Sequence, residues 1–288
     1  MGLSSVKTLL IILLMPLALA SVDFNEDQNS QLPPVSCESK IEASCYHLRQ
    51  GITAFREARF QDAVASFQVA AAMDLTSPQP RLCLATAYAQ LYIPGGEGPK
   101  NIKLGRTAIS AFEDVLRLDA KNLTALASIG QLYYNMKEFD KSKEYQRRRI
   151  QISPENPEPY YWIGVIDWAM CYPPRMKLRK ELRLTQPVSK DRPDLLPPLP
   201  SAARDKLAAE NLTLVQEGIE ALQQAIELKP NDDAAMAYLN LMYREKADLE
   251  PDPKSRELDL ETADKWVERA LNLKNQELQE RKSPNADR

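Results

Sequence analysis

Ile129–Tyr145 reads IGQLYYNMKEFDKSKEY. Gly130 is a small residue of the kind that lets two helices cross closely. Ser142 follows twelve positions later, Gln146 four after that and Arg149 a further three, with Tyr133, Tyr134 and Phe139 in between and Pro154 closing the run. Residues three and four apart share one face of a helix, so this spacing predicts two antiparallel helices joined by a tight turn. The same spacing occurs at Gly51, Ala63, Phe67 and Ala70 in GITAFREARFQDAVASFQVAA. Two occurrences of one spacing point to a repeat.

With this template the rest of the chain falls into register once the connection between paired helices is allowed to lengthen. Ala85 and Tyr88 begin a hairpin completed by Ala108, Phe112 and Val115, with Tyr92 to Lys103 as the added stretch. Gly164 begins another, completed by Gly218, Leu222, Ala225 and Pro230 after a long insertion. Leu239 and Tyr243 pair with Ala263, Val267 and Ala270 across a third enlarged connection. About five hairpins result, three with enlarged inter-helix loops. Punctuation agrees: Ser39 and Glu42 form a capping-box pair, and Pro78, Pro80, Pro157 and Pro159 stand where helices begin and a missing amide donor costs little.

These residues resemble the tetratricopeptide-repeat family over about Ser44 to Leu273, with the third repeat the best match. The resemblance implies an all-α, right-handed superhelical solenoid with a concave face. A single hairpin exposes too much apolar surface to stand alone, so neighbours stack and bury a continuous core. The resemblance also implies that a protein or peptide partner lies along the first helix of each hairpin. Mapped onto this chain, that groove is lined by Ile52, Phe55 and Arg56, by Thr86 and Gln90, by Gln131, Tyr134 and Asn135, by Tyr161, Val165 and Trp168, and by Leu241 and Arg244. The family's Lys and Asn clamp for a terminal carboxylate is not matched, since those positions are Leu48, Ile52, Leu82 and Thr86.

At the N-terminus, Lys7, an apolar run from Leu9 to Ala20 and the small residues Ala18 and Ala20 have the layout of a secretory signal peptide cleaved near Ala20. The apolar run is shorter than the roughly 20 residues of a membrane-spanning helix. The expected order is therefore a signal peptide over 1–20, a disordered polar tail over 21–38, a solenoid over 39–273 and a second tail over 274–288, in a periplasmic or secreted protein. Cys37 and Cys45 bracket the start of the first helix and are candidates for a disulfide. Three pairings are open if all four cysteines are used, while Cys83 and Cys171 stand at apolar helical positions that suit a small buried thiol.

The most individual stretch is 173–202. Between Arg175 and Arg192 it carries seven basic and two acidic residues, with Arg175, Lys177, Arg179, Lys180 and Arg183 at its start and the Pro-rich run PDLLPPLP at its end. Read as an exposed basic insertion braced by a stiff extended run, it offers a peripheral contact to an anionic membrane or an acidic protein.

Composition narrows the function. With 40 acidic and 37 basic residues the net charge is −3, spread along the chain, which argues against a nucleic-acid surface. The single His47 has no neighbouring ligands at metal spacing, and GGEGPK at 95–100 lacks the Gly-Lys-Ser/Thr of a phosphate loop. No nucleophile motif or paired carboxylates stand out, so the reading names no catalytic residue, cofactor, metal or small-molecule substrate. It is a protein-interaction scaffold rather than an enzyme. The alternative is a membrane-tethered assembly factor of the cell envelope, held by an uncleaved N-terminal anchor or by the basic insertion.

Overall fold

The computed structural model describes residue 32, residues 41–192 and residues 194–282. Among them are ten α-helices and no strand: α1 Glu42–Arg56, α2 Phe60–Met73, α3 Pro78–Gln90, α4 Pro99–Leu118, α5 Leu123–Asn135, α6 Phe139–Ile152, α7 Pro157–Glu181, α8 Ser201–Leu228, α9 Asp233–Leu249 and α10 Pro253–Lys282. They pair as five consecutive hairpins, and the chain divides after Ile152 into two compact units. None of the ten helices is long and apolar enough to cross a membrane. The expected signal peptide, Cys37 and the capping residue Ser39 lie outside the described residues; α1 is preceded by Ile41, whose side chain makes no capping bond.

In the first unit the small residues sit where the sequence requires close approach. A Cβ at Gly51 would stand 2.4 Å from the Phe67 ring, and one at Gly130 would stand 2.8 Å from Gln146 Nε2. Ser142 adds a hydrogen bond from its hydroxyl to the Gly130 carbonyl at 2.7 Å, and Ser44 reaches the Ala70 carbonyl at 3.0 Å. Leu48, Ala63, Phe67 and Cys83 are buried together around the first hairpin, and Ala108, Phe112, Leu126 and Ile129 around the next two. Each fully buried Leu, Ile or Phe contributes about 1.5–3 kcal/mol. Of the expected N-terminal tail, Leu32 alone is described, and it packs partly buried against the first of these clusters.

Helix starts follow the caps: Ser77, Asn122, Asn156 and Asp232 each accept a backbone amide of the first turn. The first helices α1, α5 and α7 end alike. After α1, Arg59 N donates to Ala54 O and Ala58 N to Phe55 O; after α5, Glu138 N donates to Tyr133 O and Lys137 N to Tyr134 O; after α7, Leu184 N donates to Arg179 O and Arg183 N to Lys180 O. This paired bonding is the Schellman motif, and it puts Ala58, Lys137 and Arg183 in the left-handed region at φ 56, 59 and 58°. The glycine-rich loop between α3 and α4 is pinned by Asn101, which accepts from Ile93 N at 2.8 Å and donates to the carbonyls of Ile93 and Gly96.

The second unit uses the same close approaches. A Cβ at Gly164 would lie 2.3 Å from Leu222, and one at Gly218 2.5 Å from Met242. Two features depart from the sequence reading. First, the 173–202 stretch does not open as a loop: α7 continues through Pro173 and Pro174 to Glu181, leaving 182–200 as the connection to α8. Second, the added length of the last hairpin is taken up by helix, with residues 250–252 as the turn, and α10 runs past residue 273 to Lys282.

Candidate partner-binding surfaces

In the unit ending at Ile152, the first helices are α1, α3 and α5. Phe55 does not line a groove. It lies four residues after Gly51, on the same buried stripe, and meets Phe60 edge-on at 5.2 Å. Gln131 is also buried and donates to Asn135 Oδ1 at 3.0 Å, while Thr86 turns back on its own helix to the Leu82 carbonyl at 2.8 Å. Arg56 is exposed, and Gln90, Tyr134 and Asn135 are half-buried. Tyr134 packs against Phe139 at 5.7 Å, and burial raises its phenol above the usual tyrosine range. Five of the expected side chains in this unit therefore reach the surface, as one cation, two amides, an aromatic and Ile52, which is half-buried against the core of the first hairpin.

In the unit beginning at Ser153 the first helices are α7 and α9, which pack against each other. Trp168 is buried, four residues after Gly164. It stacks on Tyr172 at 4.9 Å and meets Tyr238 edge-on at 5.6 Å, while half-buried Tyr161 also meets Tyr238 edge-on, at 5.8 Å. Val165 is fully buried. Arg244 is buried as well, with its guanidinium shared among Asn240 (3.0 Å), Asp194 (2.9 Å) and Asp264 (2.7 Å). Asp194 belongs to the 182–200 connection, so that segment already reaches the α9 position that corresponds, counted from the capping residues Asp232 and Asn122, to Tyr134 of α5.

The basic stretch is likewise divided by helical phase. Because α7 continues through both prolines, Arg175 and Arg179, four apart, point inward against α9 and are buried, whereas Lys177, Lys180 and Arg183 are exposed. Arg175 pairs with Glu245 and Asp248, each at 3.0 Å; Arg179 clamps Asp248 with Nε at 2.8 Å and Nη2 at 2.5 Å. Burial pushes the Glu245 carboxyl up to about 7, with Asp248 adding to the rise and Arg175 and Arg179 opposing it. Burial also pushes Asp194 up, but the bond from Arg192 and the charge of Arg244 outweigh it and hold that carboxyl below the usual range.

Other sequence-marked residues have ordinary settings. His47 is half-buried beside the Tyr46 ring at 5.3 Å. Among the described residues no group of three or more His, Cys, Asp or Glu is placed to hold a metal. Cys45 is disulfide-bonded, and Cys83 and Cys171 are buried thiols, the former pushed up to about 12 by burial. Asn211 is buried beside the second of these thiols and donates to the Cys171 carbonyl at 3.3 Å.

Residues 123–156, the α5–α6 hairpin and its closing turn, match the tetratricopeptide-repeat family model. The chain carries a tetratricopeptide repeat. This repeat protein is similar to solved structures of MamA. For the form from Desulfovibrio magneticus RS-1, identity is 16% and the TM-score 0.53, covering 83% of this chain and 98% of that one. A second MamA structure gives 16% identity and a TM-score of 0.54 over 86% and 98% of the two chains. At that identity the likeness shows the fold, a solenoid of stacked helical hairpins. No curated protein sequence matches the repeat protein.

Sequence reasoning missed the acidic partners of this fold. Glu245 and Asp248 stand three apart on α9 opposite Arg175 and Arg179, and the matched spacing was visible, but only once α7 is known to continue. Asp194 gave no signal, because an extended loop has no periodicity, and Arg256, in the first turn of α10, gave none because its acceptor, the Leu196 carbonyl, lies in that loop.

Proposed function

We propose that this chain is an exported protein-binding scaffold whose partner docks along α1, α3 and α5 in the unit ending at Ile152. The observation that carries this reading is the contrast between the two sets of first helices. Arg56, Gln90, Tyr134 and Asn135 reach the surface, whereas Trp168 and Arg244, in the other unit, are engaged internally. An aromatic flanked by amides and a cation suits an extended peptide, with ring packing for affinity and amides for the peptide backbone. Tetratricopeptide repeats serve as interaction modules, which favours a scaffold over an enzyme. Export is supported by the leader-like pattern over 1–20 and by the disulfide at Cys45, which suits an oxidising compartment such as the bacterial periplasm.

The test is a cross-linked pull-down from the exported fraction with the chain and its Tyr134→Ala, Asn135→Ala variant as baits. A partner lost from the variant supports the reading; one retained in full contradicts it. Mass measurement of the recovered bait adds the compartment: a chain starting near Ser21 supports export, and one retaining Leu9 to Ala20 favours a tethered envelope factor. Contact with an anionic membrane is favoured by exposed Lys177, Lys180, Arg183 and Lys190 beside exposed Leu182 and Val188. Vesicles of anionic lipid that fail to retain the protein at low salt would remove that contact.

A further inference from the structure

The connection between α7 and α8 is held as a bound peptide would be. Arg179 of α7 donates through Nη1 to the Pro197 carbonyl at 3.0 Å and to the Leu184 carbonyl at 3.2 Å. Arg256, in the first turn of α10, donates to the Leu196 carbonyl at 2.8 Å. Arg244 of α9 donates to the Asp194 carboxylate at 2.9 Å, and Asp194 is as buried as the arginine that holds it. Leu199 is buried. Three arginines from three helices thus read one carboxylate and two main-chain carbonyls of Asp194-Leu-Leu-Pro-Pro-Leu-Pro. The stretch leading into it is different: residues 185–192 are exposed throughout.

Proline-rich chain has few amide donors and a preformed extended shape, so its carbonyls are the natural points of recognition and little conformational freedom is lost on binding. Guanidinium groups are suited to such acceptors. We propose that residues 194–199 are a ligand held in cis, and that the face carrying Arg179, Arg244 and Arg256 is a binding site for an extended peptide in which an acidic residue precedes a Leu- and Pro-rich run. A tethered ligand has an effective concentration on the order of millimolar, so in the intact chain it excludes competing peptides of micromolar affinity. A partner segment of the same chemistry gains the site when it brings further contacts of its own. This inference stands apart from the proposed surface on α1, α3 and α5, and its test reads a different unit.

The probe is a fluorescent peptide of sequence Asp-Leu-Leu-Pro-Pro-Leu-Pro, titrated by anisotropy into the intact chain and into a variant with residues 185–199 replaced by a Gly/Ser linker of equal length. The expected result is saturable binding to the replaced chain, weakened tenfold or more by Arg244→Ala or Arg256→Ala in that background, and at least a hundredfold weaker binding to the intact chain. A replaced chain that keeps its helical circular dichroism and does not bind overturns the proposal. Should the replacement unfold the chain, hydrogen exchange on the intact protein decides. The Val188 and Leu195 amides, bonded to Leu195 O and Arg192 O, are expected to open at least a hundredfold more often than the α7 core. Opening no more frequent than global unfolding makes the segment integral structure and overturns the inference.

Discussion

At the scale of single residues, the fold rests on small side chains at crossings and on three strained turns. A Cβ at Gly164 has no room against buried Leu222, so Gly164→Ala is expected to lower stability by about 1–3 kcal/mol, read as a lower urea midpoint. Exposed Ala58 has φ 56°. Ala58→Gly is expected to raise stability by about 1 kcal/mol, because glycine adopts that conformation without the clash an L side chain meets. Asp248 faces two buried arginines. Asp248→Ala leaves Arg179 without a carboxylate and Arg175 with Glu245 alone, and is expected to cost about 3–5 kcal/mol, whereas Lys180→Ala, at an exposed position, stays within about 0.5 kcal/mol. The Gly spacing was legible in the sequence, and so was the closeness it implies. The ion pairs were not, because a charge run carries no mark of which members turn inward until its helical phase is known.

At the scale of elements, α7 carries the main departure from the sequence reading. Pro173 and Pro174 read as a helix end, since proline removes a donor and crowds the preceding turn. The helix continues because both flanks are fastened, by the Trp168–Tyr172 stack before the prolines and by the Arg175 and Arg179 clamps after them. Pro173 is exposed, so Pro173→Ala is expected to remove a helix penalty of up to about 3 kcal/mol and raise the thermal midpoint. The α7–α9 contact also sets a pH dependence. The folded carboxyl of Glu245 is raised from 4.5 to about 7, so the stability that its proton supplies is fully present below the unfolded value and is lost as pH rises through about 7. Urea unfolding between pH 5 and 8 is expected to show this loss in the parent chain and a flatter profile in Glu245→Gln.

For the molecule as a whole, the sequence carried the repeat architecture well and the binding surface poorly. Helical pairing depends on spacing, which is written in order along the chain. Whether a side chain on a first helix faces a groove or the core depends on what packs over it. Phe55 and Trp168 share the position four after a crossing glycine and are both buried, while Tyr134, at the same offset from Gly130, stays half-buried. The segment that occupies Arg244 is distant in sequence from the helices it crosses, and its arrival has no local signature. The two units therefore differ in the first-helix surface they present, and the scaffold reading rests on that difference. It is tested most directly by placing a photo-reactive residue at position 134 on α5 or at exposed position 144 on the second helix α6, and irradiating cells that produce the chain. The account predicts a discrete protein adduct from position 134 and none from 144. An adduct from 144 with position 134 silent would contradict it.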